Sequence, residues 1–217
     1  MDEARFYRAR QTLRAMLKMR GFDVPPELVL ETEASFRALF AAGPLPDMFA
    51  TRQSDGERIG VGFAADDGNS VRVLLVRQFA TRLKEEAISR GILVLANKLT
   101  PFAAREVREL PNKLQPADED DDDLDAVGEP RIECFTLAKL HTNIMEYELQ
   151  PKFEVLSAAQ VKKDKLDPST LWHMLATDPV ALFLGLDAGQ VVRITRQHPA
   201  AGFEVVHRIV TDDSIRE

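Results

Sequence analysis

One cysteine, Cys134, is all the thiol chemistry available to this chain. A lone thiol excludes an internal disulfide and any thiolate-rich zinc site. Set in the apolar stretch Ile132 to Leu137, it is expected to be an inert small hydrophobe. Histidine is also scarce: His141, His173, His198 and His207 show no metal-ligand spacing with one another or with Cys134, so each is expected to be structural or exposed. Phosphate-loop, zincin, paired-cysteine and EF-hand patterns are missing, as is the Gly-x-Ser-x-Gly of a nucleophile elbow. No catalytic residue, metal or cofactor is therefore expected. Long apolar runs are lacking too, because Val71 to Val76 is broken by Arg72 and Gly91 to Ala96 is short. Neither approaches the roughly 20 residues of a membrane helix. The opening Met-Asp-Glu-Ala-Arg has no secretion-signal order, and an intracellular protein is expected.

What the chain does have is a concentrated charge. Its 35 acids and 28 bases give a net charge of −7 over 217 residues. Seven of the acids lie in the run Asp118 to Asp125, and setting them aside leaves 28 acids against 28 bases. Dense like charge repels itself and buries no apolar surface, so residues 118–130 are expected to be a solvated inserted loop or linker. The run has no flanking glycine turn and no fixed ligand spacing, which gives diffuse counterion attraction rather than a metal site. Two modules are expected around it: 1–117, with 18 bases and 15 acids, and 131–217, with 10 bases and 12 acids. A surplus of three bases in the first is too small for tight DNA binding alone.

Hydrophobic periodicity organises the first module. Residues Asp2 to Arg20 carry Phe6, Leu13, Met16 and Leu17 among Arg5, Arg8, Arg10, Arg14, Lys18 and Arg20. This predicts an amphipathic helix with a solvated basic face, ending at Gly21. A second helix is expected after Pro25-Pro26, through Leu28, Phe36, Leu39 and Phe40. Arg58 to Ala65 then alternates, Val71 to Val76 is rich in Val and Leu, and Asp66-Asp67-Gly68-Asn69 lies between them, which predicts a hairpin. A helix is expected over Thr81 to Arg90, stopping at Gly91. Ile92 to Leu95 reads as a strand buried on both faces. Thr100-Pro101 predicts an N-cap and a proline at the first helical position. A nuclease reading needs an acid on one strand and an acid-x-Lys on the next. Val71-Arg72-Val73-Leu74-Leu75 supplies neither, which disfavours an active nuclease.

In the second module, Ile132 to Leu137, Asn143 to Leu149 and Phe153 to Leu156 read as strands, and Ser157 as the cap of a short helix. Pro168 and Asp178-Pro179 open two further helical pieces, the latter ending near Gly185. Gln190 to Thr195 and Phe203 to Val210 read as a closing pair of strands. Gly185 and Gly189 permit chain reversal on either side of Leu186-Asp187-Ala188.

The order Asp178-Pro179-Val180-Ala181, Gly185, Gly189-Gln190-Val191-Val192-Arg193-Ile194 resembles the C-terminal domain of the fifth subunit shared by eukaryotic RNA polymerases, a family with an archaeal counterpart. Asn143 to Pro151 matches the strand that leads into that family's assembly domain, so the resemblance is strongest over 141–210. It extends more weakly through Arg20-Gly21-Phe22, Phe36, Phe40 and Leu99-Thr100-Pro101-Phe102-Ala103, in the order of the eukaryotic jaw domain. The resemblance implies an α+β, α/β chain of two domains: an N-terminal jaw with an inactive nuclease-like α/β fold and a small C-terminal mixed α+β assembly domain. It implies a non-catalytic subunit of a multisubunit DNA-directed RNA polymerase, working in the nucleus. The partners it implies are the largest subunit, other polymerase subunits and, weakly and without sequence preference, downstream duplex DNA; no membrane is implied. The assembly residues so marked are Asp178, Pro179, Gly185, Gly189, Gln190, Val191, Val192 and Arg193, and the DNA-proximal jaw residues are Thr100, Pro101 and Ala103. A metal-dependent nuclease and a free-standing nucleic-acid-binding module are the alternatives. The chain departs from the family pattern at Leu171 to Met174 and at Gln197 to Phe203. Those departures fit a lineage far from animals and fungi, such as a large DNA virus or a protist, with the virion or host cytoplasm as the place of work if virus-encoded.

Overall fold

The computed structural model describes residues 3–64, 70–71, 73–110, 130–198 and 202–212, the side chains of 27, 70, 71 and 198 excepted. It divides into two compact units, 1–142 and 143–217. No helix among the described residues is long and apolar enough to cross a membrane.

The first unit opens with α1 (Glu3–Met19), which buries Phe6, Ala9, Leu13, Met16 and Leu17 along one stripe. The expected solvated basic face is only partly so. Arg10 is 1% exposed and pairs with Glu31, Nη2 to Oε1 at 2.7 Å. Arg20 pairs with Glu133 at 2.7 Å. The single helix expected after the two prolines is two: α2 (Pro26–Val29) and α3 (Glu33–Ala42). The break is chemical, because Thr32 caps α3 in a reciprocal box with Ser35, satisfying amides that an unbroken helix would have used.

Strands β1 (Met48–Thr51) and β2 (Arg58–Ala64) pair antiparallel. Next come β3 (Ser70–Val71), α4 (Val73–Glu85), β4 (Arg90–Leu95), β5 (Lys98–Leu99), α5 (Pro101–Glu109), β6 (Arg131–Thr136) and α6 (Leu137–Leu140). The main sheet has the order β1-β2-β4-β6, with β4 parallel to both neighbours. Parallel neighbours need a crossover, and α4 supplies it between β2 and β4. The expected hairpin is therefore overturned: Val73 to Val76 is the first turn of α4, and β3 pairs in parallel with β5 instead. Val76, Phe79, Ala80 and Leu83 follow a helical stripe and are buried, so packing overrides the β preference of a Val-Leu run. The helix expected over Thr81 to Arg90 ends at Glu85, and Gly91 lies inside β4. Residues 65–69, the expected turn, lie outside the described residues.

Gly91 has a packing reason. With Gly60 and Gly62 of β2 it floors the slot that receives Phe79 and Leu83 of α4. A Cβ on Gly62 would lie 2.5 Å from Phe79 Cε2, and one on Gly91 would lie 2.9 Å from Phe79 Cε1. Ile92 to Leu95 are all buried, as expected for a central strand.

The module boundary also shifts. Strand β6, expected to begin the second module, pairs with β4 from Arg90↔Arg131 to Leu95↔Thr136. The first unit thus continues through Thr142. In chain order the acidic run connects α5 to β6, both in that unit, rather than joining two domains; the run itself lies outside the described residues.

The second unit is a sheet of order β7-β9-β10-β8, built from β7 (Lys152–Leu156), β8 (Trp172–Leu175), β9 (Val191–His198) and β10 (Gly202–Thr211). Asn143 to Leu149, expected as a strand, contains a 3-10 turn at Ile144–Glu146. Asn143 drives it by accepting from the Met145 amide at 3.0 Å and donating to Glu146 at 2.9 Å. The Ser157 cap is present on α7 (Ala158–Lys163), reciprocated by Gln160. Pro168 opens only a 3-10 turn, and the strand after it, β8, runs parallel to β10. Helix α8 (Pro179–Leu184) supplies Val180 and Ala181 to a core with Met174, Leu186, Val192 and Val210. Burial of a Val, Leu or Met side chain of this kind contributes about 1.5–3 kcal/mol.

Candidate assembly surface

Helix α8 and the turn into β9 gather most of the residues marked by resemblance. Asp178 caps α8 through Oδ1, which accepts from the Val180 amide at 2.8 Å, and Pro179 fills the first helical position, where an N–H would lack a partner. Gly185 ends the helix at φ 65° and Gly189 turns the chain at φ 88°, a region that disfavours side chains with a Cβ. The Gly189 amide donates to Val210 O at 2.8 Å, and the Val210 amide donates back to Gln190 O at 2.8 Å. The Gln190 side chain accepts from the Asp187 amide at 3.0 Å.

These residues are brought together: Val191 and Val192 are buried, Pro179 and Gly189 are exposed, and Asp178, Gly185, Gln190 and Arg193 are half-buried. Val191 is 3% and Val192 0% exposed, so both side chains belong to the unit's own packing. Arg193 is half-buried and committed to Asp164 at 2.6 Å and Glu154 at 3.3 Å, with His207 Nε2 at 3.4 Å. That cluster ties β7, the end of α7, β9 and β10 together.

Large apolar side chains elsewhere in the unit are exposed. Trp172, the chain's one tryptophan, is 76% exposed on β8, and Phe203 is 69% exposed on β10. Both fall in the two stretches noted as departures. Tyr147 and Leu149 are also exposed, inside the Asn143 to Pro151 stretch. Contiguous apolar patches mark interaction sites, whereas single exposed side chains are ordinary.

In the first unit, Thr100 accepts from the Ala103 amide at 3.2 Å, with Pro101 at the first position of α5. Ala103 is fully buried while Phe102 is 78% exposed. Two arginines of this region hold carboxylates: Arg77 pairs with Glu106 at 2.9 Å and Arg105 with Glu109 at 2.6 Å. Arg8 donates to His141 Nε2 at 2.7 Å. Burial, with the neighbouring Glu133, pushes the Cys134 thiol up to about 12, which removes thiolate chemistry near neutral pH. Among the described residues no three metal-capable side chains converge.

A two-unit chain with many of its charges paired internally and large apolar side chains exposed has the surface make-up of a docking component. Comparison with known proteins gives the class a family. Residues 142–210 match the RNA polymerase Rpb5, C-terminal domain. The chain is 26% identical over 223 residues to subunit RPABC1 of DNA-directed RNA polymerases I, II, and III of Caenorhabditis briggsae, covering 97% of each chain. It is 27% identical over 216 residues to subunit 5B of DNA-directed RNA polymerases IV and V of Arabidopsis thaliana, covering 95% of this chain and 90% of that one. It is 30% identical over 220 residues to DNA-directed RNA polymerase subunit 5-like protein 1 of the same plant, covering 90% and 91%. The chain belongs to the family of the fifth subunit of DNA-directed RNA polymerases.

Proposed function

We propose that the second unit anchors this protein on the largest polymerase subunit and that the first unit is a jaw standing beside downstream duplex DNA. The protein is a non-catalytic subunit of a multisubunit DNA-directed RNA polymerase, and nucleotidyl transfer belongs to other subunits. The observation that carries this reading is similarity running across both units, with 90% or more of each chain aligned to relatives named as polymerase subunits. A nuclease or a free-standing binder has no such support. The jaw adds little affinity of its own, since affinity for duplex scales with the phosphates neutralised and residues 1–117 carry a surplus of only three bases. The proposed place of work is the nucleus, or the virion or host cytoplasm for a virus-encoded copy. Affinity purification of the tagged full-length chain from its source tests the reading: the largest polymerase subunit is expected among the recovered proteins. Recovery of the chain free of every polymerase subunit would refute it.

A further inference from the structure

The chain folds back on its own first helix. After Gly21 it returns along α1, because Glu31 reaches Arg10 at 2.7 Å, the Phe36 ring lies 5.5 Å from that of Tyr7, and Arg37 reaches Glu3 at 3.0 Å. Residues 22–31 therefore run beside the half of α1 between Arg10 and Arg20. Helix α2 turns Leu28 into the core, at 0% exposed, and leaves Val29 at 43% and Leu30 at 79%. One turn on from Arg10, on the same row of α1, Arg14 comes level with α2, and Lys18 follows a further turn on. Both are exposed, and neither is paired with any described side chain.

Charge on this edge is one-sided, unlike that of the whole chain. Residues 5–31 hold six bases and three acids, Asp23, Glu27 and Glu31. Glu31 is committed to Arg10 in the interior, and Arg20 is held by Glu133 at 2.7 Å. Asp23 accepts from the Gln53 side-chain amide at 2.9 Å. Lys18 suits the carbonyl end of the helix, but Arg14 stands one turn from it with like charge, an arrangement that destabilises a helix. Two free cations beside two adjacent exposed aliphatic side chains are complementary to a polypeptide that carries carboxylates and apolar groups together. A phosphodiester backbone is the poorer occupant. Its affinity rests on the number of phosphates neutralised, and Val29 and Leu30 offer no ring on which a base could stack.

We propose that the α1–α2 edge of the first unit is a docking site for an acidic segment of a protein partner, which sets carboxylates on Arg14 and Lys18 and lays an apolar side chain over Val29 and Leu30. The contact needs only the folded first unit and does not rest on the assembly reading above.

Fluorescence anisotropy of the purified full-length protein tests it, with a fluorescein-labelled synthetic peptide of repeated Asp-Asp-Leu as the probe. Binding is expected, with Arg14→Glu, Lys18→Glu and Leu30→Ser each weakening it by roughly tenfold or more and Arg14→Lys staying within about twofold of wild type. A peptide of repeated Asp-Asp-Ser is expected to bind at least about tenfold more weakly than the leucine peptide. The substituted positions are exposed, so circular dichroism melts of the variants are expected to match wild type, which separates loss of the site from loss of the fold. No binding of the Asp-Asp-Leu peptide, or equal binding by wild type and the Glu variants, overturns the proposal. Equal binding of the Asp-Asp-Ser peptide reduces the edge to diffuse charge attraction and overturns it too, as does tighter binding of duplex DNA at the same residues. An affinity that rises roughly tenfold when the seven acids of Asp118 to Asp125 are replaced by serine would name the chain's own acidic run as the occupant and overturn the partner.

Discussion

Replacing Glu31 by Gln is expected to destabilise the first unit by about 3–5 kcal/mol, the cost of leaving one partner of a buried ion pair behind. Arg10 is 1% exposed, and the Glu31 side chain is 4% exposed. Arg10 Nε donates to both carboxylate oxygens, at 2.9 and 3.0 Å, and the guanidinium lies 5.6 Å from the Phe36 ring centre and 5.4 Å from that of Phe63. Its Nη1 has no hydrogen-bond partner among the described residues. A guanidinium does not shed its proton, so without Glu31 the charge stays buried with only the two ring faces to offset it, worth about 0.5–2 kcal/mol each. For a chain of this size each kcal/mol moves the melting temperature by about 2–4 °C, giving a drop of roughly 6–20 °C. Calorimetry of the full-length protein, following the transition assigned to the first unit, reads it. The double variant Arg10→Met, Glu31→Leu is expected to recover most of the loss, because an apolar pair of similar volume carries no desolvation penalty. A Glu31→Gln protein that melts within about 1 °C of wild type would refute the reasoning, as would a double variant no better than the single.

Other outcomes follow from the same geometry. Gly62→Val places carbon where Phe79 already sits and is expected to cost about 1–3 kcal/mol or more by overpacking, measured by urea denaturation. Cys134 is expected to resist alkylation at pH 8 in the native protein and to react once the chain is unfolded in denaturant, since burial holds its thiol at about 12; fast native labelling would contradict that burial. Asp55 is held at about 2 by hydrogen bonds from Arg52 and the Glu57 amide. Its contribution is therefore present above the ordinary carboxylate range near pH 4 and lost as pH falls towards 2. In Asp55→Asn that acid-side slope should vanish from the stability profile. Gly189→Val forces a branched side chain into φ 88° and is expected to weaken incorporation into the polymerase more than the activity of each assembled complex.

Local chemistry was legible in the sequence wherever it decided the structure alone. The caps at Thr100, Ser157 and Asp178, the proline starts and the apolar strand Ile92 to Leu95 are present because short-range hydrogen bonding or complete burial left no alternative. Val71 to Val76 misled because its composition suits a strand, while the glycines that make room for α4 lie in strands β2 and β4. The module boundary misled for a related reason. A charged run reads as a linker, yet β6 returns beyond it to a strand far back in the chain, a pairing invisible to local pattern. Arg10 looked like one of several surface arginines, since its partner Glu31 is distant in sequence. In the candidate site, resemblance located the frame, Asp178 to Arg193. The exposure of Trp172 and its place opposite Arg208 emerged only once β8 was seen beside β10.

The account's central claim is that this chain is a polymerase subunit, and native mass spectrometry of the polymerase purified through its largest subunit tests it most directly. One copy of the chain per intact complex is the predicted result. A transcriptionally active complex that contains no copy of this chain would contradict it.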